Sequence, residues 1–517
     1  MRNNDIESSL KRFLKRKVKI TLGIVIAFLI TGVVGYGGDI VAEGKTGEYT
    51  IKEQDGNPKI IGGWNYVSGS DKNTNHSNST TSITLISGTF DELIGGNHLK
   101  DVTSKEEYTS KIGKTSVTMN GGTVQYLIGG SKSNGTKADI TNGKTKVIVN
   151  GGTIGQSDSN GVIKAGLIGG NYIKSTSGNG NNIKATTNGT DVEITGGTFA
   201  NKVIGGSFVD TYGTTVSGMS VIDDTTDVLI TGGTFNNFVI GGGAAAGTDN
   251  KSTVGTSNLT IKGGIFNDYI YSGGIALTSG NGNNDLGIAE VTNSNLTIDG
   301  SNKSLNLLLR DIAIHTGGLD SGVSGKTVLT LKELTRDMFT AKVGIYGGSK
   351  AGASDSSVID GDTEINISNS DVYANIFGGG RASGTGAKAK VGNSIVKVTN
   401  SSVAGYDDKN NNTWTGSIFG AGLVQGGDSY EQKSTEVVIN NVDGVTYDKD
   451  SGEISNLEGA RIFAGGQNYK YVGVTTEDKK PQSLKIDSTK VTIGGDETVL
   501  AEVYGGSIIS GTGNKGT

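Results

Sequence analysis

A module of the form apolar-x-apolar-x-Gly-Gly-Thr-Phe, followed within a few residues by apolar-Ile-Gly-Gly, recurs from about residue 50 to residue 506 of this 517-residue chain. Clear copies are TLISGTFDELIGG (84–96), VTMNGGTVQYLIGG (117–130), VEITGGTFANKVIGG (192–206) and VLITGGTFNNFVIGG (228–242). Closing glycines at Gly62, Gly95, Gly129, Gly169, Gly205, Gly241, Gly273, Gly317, Gly347, Gly378, Gly420, Gly465 and Gly505 mark thirteen turns, 30 to 45 residues apart. Such a period belongs to solenoids and propellers, whose units bury their apolar faces only against neighbouring units. A propeller closes after about four to eight four-stranded blades. Here each unit gives two clear strand signals and there are too many units. The expected fold is all-β: a parallel β-helix (β-solenoid) of about 13 Gly-rich repeats, preceded by an N-terminal apolar helix.

Within a unit the first strand alternates, with Val117 and Met119, Val192 and Ile194, Val228 and Ile230, Ile365 and Ile367, and Val491 and Ile493 facing inward. Thr118, Glu193, Leu229, Asn366 and Thr492 face outward. A corner at Gly196-Gly197, Gly232-Gly233 or Asn369-Ser370 follows, where a positive φ costs Gly least. The second strand carries an inward Phe90, Val124, Phe199, Phe235, Phe266 or Val372 and ends before the next Gly-Gly. Coils stacked about 4.8 Å apart make a rod about 60 Å long. The polar connectors, such as SKSNGTKADITNGKTK (131–146), are expected to project as loops that add nothing to the core. DDKNNNTWTGS (407–417) is an insertion of the same kind.

Hydrophobic residues make up only 33% of the chain, but their regular spacing argues for a thin ordered core rather than disorder. Both prolines, Pro58 and Pro481, fall outside strand signals, as central strands require. The chain has no cysteine, so stability rests on stacked backbone hydrogen bonds and packing. Arg2, Lys11, Arg12, Lys15, Arg16, Lys17 and Lys19 stand against Asp5 and Glu7 in the first nineteen residues. They leave the remainder strongly acidic within a whole-chain charge of −5, which makes nucleic acid an unsuitable partner. The uncharged apolar run Ile20 to Val34 then completes the order of a signal peptide. Cleavage is expected between Thr31 and Ala42, giving an extended signal peptide (1–42) and a repeat body (43–517). An uncleaved membrane anchor is the alternative.

MRNNDIESSLKRFLKRKVKITLGIVIAFLITG (1–32) resembles the extended signal region of large autotransporter (type V secreted) proteins of Gram-negative anaerobes, and the Gly-rich repeats are similar in style to their passenger domains. The resemblance implies display at the outer membrane or cell surface and adhesion to host cells, neighbouring cells or matrix. No C-terminal β-barrel pattern is visible, so the chain is expected to be a fragment of a longer passenger that relies on a translocator outside it. Secretion without its own translocator is the alternative.

Parallel β-helices also host polysaccharide lyases and hydrolases, which need convergent acids or bases on neighbouring coils. The most irregular stretch, LNLLLRDIAIHTGG (305–318), offers Arg310, Asp311 and His315 as candidate catalytic residues, with Arg336 and Asp337 at a comparable place in the next unit. A solvated ion-pair face is the expectation there. The three histidines, His76, His98 and His315, lie in different units and are not expected to bind metal. GNGNNDLGI (280–288) faintly resembles a calcium-binding nonapeptide but occurs once, and is taken as a Gly/Asn loop. The Asn-x-Ser/Thr triplets do not establish glycosylation. Tyr271, Tyr346, Phe377, Phe419, Phe463 and Tyr504 precede closing glycines where early units carry Ile94, Ile128 and Ile204. That exchange points to a packing ladder rather than a sugar-stacking stripe. The expected function is a non-enzymatic surface passenger that contacts a partner through polar loops and needs no cofactor. A carbohydrate-active enzyme and a passive spacer are the alternatives.

Overall fold

A computed structural model describes residues 40–41, 48–51, 59–66, 73–99, 108–134, 138–155, 165–174, 183–210, 219–247, 250–278, 286–310, 312–340, 343–406, 416–447, 454–456, 460–469, 483–496, 498, 500–509 and 515–516. The expected leader therefore lies outside the described residues, apart from Ile40 and Val41. Among those described, no helix is long and apolar enough to cross a membrane.

Residues 35–517 form one compact unit, a parallel β-solenoid. A representative coil runs Ala138–Asn142 and Thr145–Val149 along a long face, Thr153–Ile154 and Ala165–Ile168 along a second face, and Tyr172–Lys174 along a third. Each segment pairs in parallel with its equivalent one coil on: Thr145 with Thr190, Ile168 with Ile204, and Tyr172 with Phe208. Among the described strands only Ile454–Asn456 pairs antiparallel, against the end of Ser429–Tyr447. In later coils the two long-face segments fuse, as in Asn250–Ile261 and Lys388–Tyr406.

Period-two alternation decides which side chains enter. In Thr145–Val149 the Thr145, Val147 and Val149 side chains are buried, whereas Lys146 is exposed. Repetition at fixed register turns this into inward columns. Val117, Val147, Val192, Val228, Leu259, Leu296, Leu329, Ile365, Val396 and Val437 stack in one column, each at most 2% exposed. Each such side chain contributes about 1.5–3 kcal/mol on burial, so a coil with few apolar residues still holds. Val491 and Ile493 continue the inward rows, but Ile493 is 47% exposed, because the described residues beyond them pair only with Ser483 and Leu484.

The corner after the long face requires a left-handed residue. Early coils use glycine there, as at Gly197 (φ 99°), whereas later ones use Asn369, Asn400 and Asn441 (φ 46–51°). The closing glycine answers a different demand, close approach between coils. A Cβ built on Gly205 would lie 2.2 Å from the Gly241 carbonyl oxygen and 2.5 Å from Val228 Cγ2.

Two expectations need correction. First, Gly273, Gly317 and Gly465 occupy the second closing position. The first is held by Ser272, Thr316 and Ala464, whose N–H groups bond to the carbonyls of His315, Tyr346 and Tyr504 on the next coil. These coils tolerate a small side chain at the first position, and only the second keeps its glycine. Second, the polar connectors do add to the core. Ala138–Asn142 lies inside the connector 131–146, and its Ala138 and Ile140 pack in a second apolar cluster with Leu99, Tyr108, Ile173, Val209 and Val221. Its inward polar residue, Asn142, is satisfied by hydrogen bonds with Ser131 and Asn171. Each such coil therefore has a main core and a side lobe, the latter between the third face and the first half of the long face. Ile40 and Val41, within the span where cleavage is expected, pair with Ile60 and Ile61.

Candidate functional site

The irregular stretch does not assemble a reactive cluster from its described residues. Asp311 lies outside the described residues, and Arg310 is exposed at the end of Leu307–Leu309. Leu309 bridges Phe339, so Arg310 falls beside Thr340 and not opposite Arg336. The Arg336 guanidinium instead lies 3.9 Å over the Tyr373 ring and donates to the Phe339 carbonyl at 2.7 Å, while Asp337 accepts from the Thr335 hydroxyl.

His315 is a rung of the aromatic column. Its ring stacks on Tyr271 at 5.2 Å and on Tyr346 at 4.4 Å, with interplanar angles of 13° and 5°. Phe377, Phe419, Phe463 and Tyr504 continue the stack at 4.7–4.9 Å. His315 is fully buried and neither ring nitrogen has a good hydrogen-bond partner. Burial, helped by the charges of Lys350 and Arg381, drives its pKa well below the ordinary histidine value, against a weak pull from the Gly348 backbone. A neutral ring in a packed column suits an interior rung, not a surface acid or base. The sequence missed this because Tyr, Phe and His alternate at one register only once the coils are aligned. The other histidines sit elsewhere: His76 stacks on Trp64, and His98 is buried in the third face.

A hydroxyl column, also missed, runs down the long face. Thr81, Thr115, Thr145, Thr190, Thr226, Ser257, Ser294, Thr327, Thr363, Ser394, Thr435 and Thr489 share one register. All but Thr226 donate to the carbonyl at the first closing position of their own coil. Thr145 reaches the Gly169 oxygen at 2.7 Å and Thr363 the Gly378 oxygen at 2.6 Å. The visible signal was Thr-x-Val in TSVTM, TKVIV and TDVEI.

Buried charge occurs in two settings. Glu92 is held by Lys132 at 2.5 Å and Lys59 at 3.3 Å, with Lys132 also 5.4 Å from the Tyr172 ring. Burial pulls the Lys132 pKa down to about 8 despite Glu92. Asp223 and Asp360 are buried instead among hydroxyls and N–H groups: Ser207 N–H and Ser349 N–H donate to them at 2.7 and 2.6 Å. Burial raises both carboxyl pKa values, and these hydrogen bonds oppose it.

One coil breaks the two-lobed plan. Leu319 bridges Ile275 and Lys350 on the third face, and the chain then crosses directly to Val323, which bridges Val291. Its out-and-back side lobe is missing. Ile288–Val291 consequently ladders with the coil before, Lys251–Val254, and Ser357–Asp360 with the coil after, Lys388–Val391, while between them the shortened coil offers only the Val291–Val323 bridge and a few side-chain and corner hydrogen bonds. The third face is split at the same level, into seven-stranded and five-stranded sheets. Ser321, Gly322 and Val323 fill the intervening rung, with Gly322 packed against the Ile359 main chain, and the missing lobe leaves a surface notch above them.

The notch has a volume of about 750 Å³ and its floor is Asp320, Ser321, Gly322 and Ser324. The floor is tied down by Ser321 Oγ donating to the Ala289 carbonyl, Ser324 N–H to the Val291 carbonyl and Val323 N–H to Asp360. Asp320 takes a positive φ of 51° and accepts the Gly352 and Ala353 N–H groups at 2.6 and 2.9 Å. Ile288 and Ile359, on opposite walls, are 47% and 64% exposed. Asp224, Glu290 and Asp320 make the lining acidic; Glu290 also pairs with Lys251 at 2.8 Å. The sequence signal was the short connector between Gly318 and Lys326, which leaves no room for a strand pair.

No protein family, curated protein or solved structure matches this chain.

Proposed function

We propose that this chain is an exported surface passenger, a non-enzymatic β-solenoid whose exterior contacts a host cell, a neighbouring cell or a matrix component. One observation supports this most. Rung after rung, stacked Val, Leu, Ile and aromatic side chains fill the interior, so contact chemistry falls to the corners, the outer rows and the notch. The order of charges and apolar residues in 1–34 supports export, and display at the outer membrane would use a translocator outside this chain. The carbohydrate-active alternative rested on Arg310, Asp311 and His315, and the buried, stacked setting of His315 offers it no reactive imidazole.

The test is adhesion of the purified body (39–517) to epithelial cells, bacterial cells and immobilised matrix. We expect saturable binding that weakens when residues 156–164 and 407–415 are replaced by short Gly-Ser links. Absence of binding on every surface would favour a spacer. Depolymerisation of a polysaccharide that is lost on Arg310→Ala substitution would establish the enzyme instead.

A further inference from the structure

We propose that Lys350 and Arg381 form a binding site for a singly charged oxyanion, a carboxylate or a sulfate ester. The two are partners in register on adjacent rungs of the third face, about 5 Å apart along the solenoid. Both are only partly exposed. The Lys350 Nζ lies 5.1 Å from the centre of the Tyr269 ring, and the Arg381 guanidinium lies 6.0 Å from that of Tyr346 while donating to the Gln425 side-chain oxygen at 2.6 Å. Neither cation forms an ion pair among the described residues. By contrast, Lys59 and Lys132, also withdrawn from water, share Glu92. Two half-buried like charges side by side repel each other and have lost part of their hydration, and an anion from outside relieves both costs. The Lys350 pKa records both: burial lowers it, and the Arg381 charge lowers it further.

The surrounding groups narrow the choice of anion. Asp320 and Asp268 pull the Lys350 pKa back up, but each already accepts main-chain N–H groups, Asp320 from Gly352 and Ala353 and Asp268 from Tyr269. Their nearby charge disfavours a doubly charged phosphate monoester and favours a carboxylate or a sulfate ester, each with one negative charge at neutral pH. The planar guanidinium fork matches the spaced oxygens of such a group, and the Arg381 Nε has no hydrogen-bond partner. The fully buried Tyr271 hydroxyl, within electrostatic reach of Arg381, is unpartnered too. Unsatisfied donors and uncompensated cations thus converge on one stretch of the groove between the second and third faces.

The test is acetylation of the intact body (39–517) by an amine-reactive ester, read at each lysine by mass spectrometry, with methyl sulfate, acetate, inorganic phosphate or sodium chloride added at matched ionic strength. Methyl sulfate and acetate are expected to slow labelling of Lys350 at least about threefold in a saturable way. The exposed Lys184 and Lys390 should be unaffected. A chondroitin sulfate hexasaccharide distinguishes the sources: protection at far lower concentration than methyl sulfate identifies a polymer-borne group, and equal potency per sulfate a free small anion. Arg381→Gln should weaken the protection about tenfold, and Asp268→Asn should strengthen it, both with unchanged circular dichroism. Three results would overturn the proposal: no protection by either monoanion, equal protection by chloride or phosphate, or protection unaltered in both variants. The site does not depend on export. Failure of cell adhesion with intact Lys350 protection would sink only the surface role, and adhesion without protection only the oxyanion site.

Discussion

Replacing His315 by Phe should stabilise the solenoid, increasingly so in acid. The imidazole is fully buried between Tyr271 and Tyr346, and neither nitrogen is properly satisfied. Removing an unsatisfied buried polar group is worth about 1–3 kcal/mol. Stacking should survive, since the next rungs place Phe377 and Phe419 rings 4.7 Å apart in the same column. A gain of about 1–2 kcal/mol is therefore expected at pH 8, where both states of the wild type are neutral. The acid side adds a second effect. Because burial lowers the folded-state pKa below the ordinary value of 6.5, the unfolded chain takes up a proton that the folded chain refuses. Wild-type stability consequently falls as pH drops below the unfolded value and continues to fall until the folded pKa is reached, by up to about 1.4 kcal/mol per pH unit.

The variant lacks that loss, and every other titrating group cancels in the comparison. Repeat arrays can open in parts, so a single global midpoint is a poor measure. Hydrogen exchange of peptides covering 313–315 and 343–346, for both proteins at matched pH 5 and pH 8, reads the local opening free energy. An advantage of the Phe variant that is equal at the two pH values, or smaller at pH 5, would refute the reasoning. A uniform destabilisation would mean that the ring does not fit.

Two further substitutions probe other parts of the coil. Asp223 has its carboxyl pKa raised by burial, so the folded body loses stability as pH rises from the unfolded value through the folded one. Asp223→Asn copies the residue found two coils earlier in the same register, Asn142; it should gain Tm relative to the parent between pH 4 and pH 7, and a shrinking difference would contradict this. Gly205→Ala would force a methyl to within 2.2 Å of the Gly241 oxygen, where the only relief is a shift of backbone. A cost of about 1–3 kcal/mol is expected, visible as a lower Tm and faster proteolysis, and a Tm within about one degree of the parent would show that the coils can separate freely.

The repeat, the inward columns and the ladder role of Tyr346 and Phe377 were legible because each depends on residues spaced within one module. What depended on aligning modules was not. Ser272, Thr316 and Ala464 shifted the apparent register of their coils, since a Gly-Gly pair reads the same from either glycine. Ala138–Asn142 looked like a loop because its interior is half polar, and only the hydrogen bonds of Asn142 with Ser131 and Asn171 make that interior stable. His315 looked like chemistry because a lone histidine beside Arg310 and Asp311 carries no sign that its neighbours in space are Tyr271 and Tyr346. The notch was hidden for the opposite reason. It is made by residues that are missing, between Gly318 and Lys326, and a deletion can be seen only against an aligned set of coils.

The hydroxyl column has a consequence for how such a chain changes length. Every described member of the column but Thr226 bonds within its own circuit, as Thr145 does to Gly169 and Thr363 to Gly378, so those rungs do not depend on the next to satisfy that interior oxygen. A coil can then be excised or duplicated as a cassette without leaving an orphaned hydroxyl at the junction, provided the splice respects the closing glycines. Gene slippage at whole-module boundaries would give shorter or longer proteins that still fold, which makes reach a property this architecture can vary without redesigning its interior.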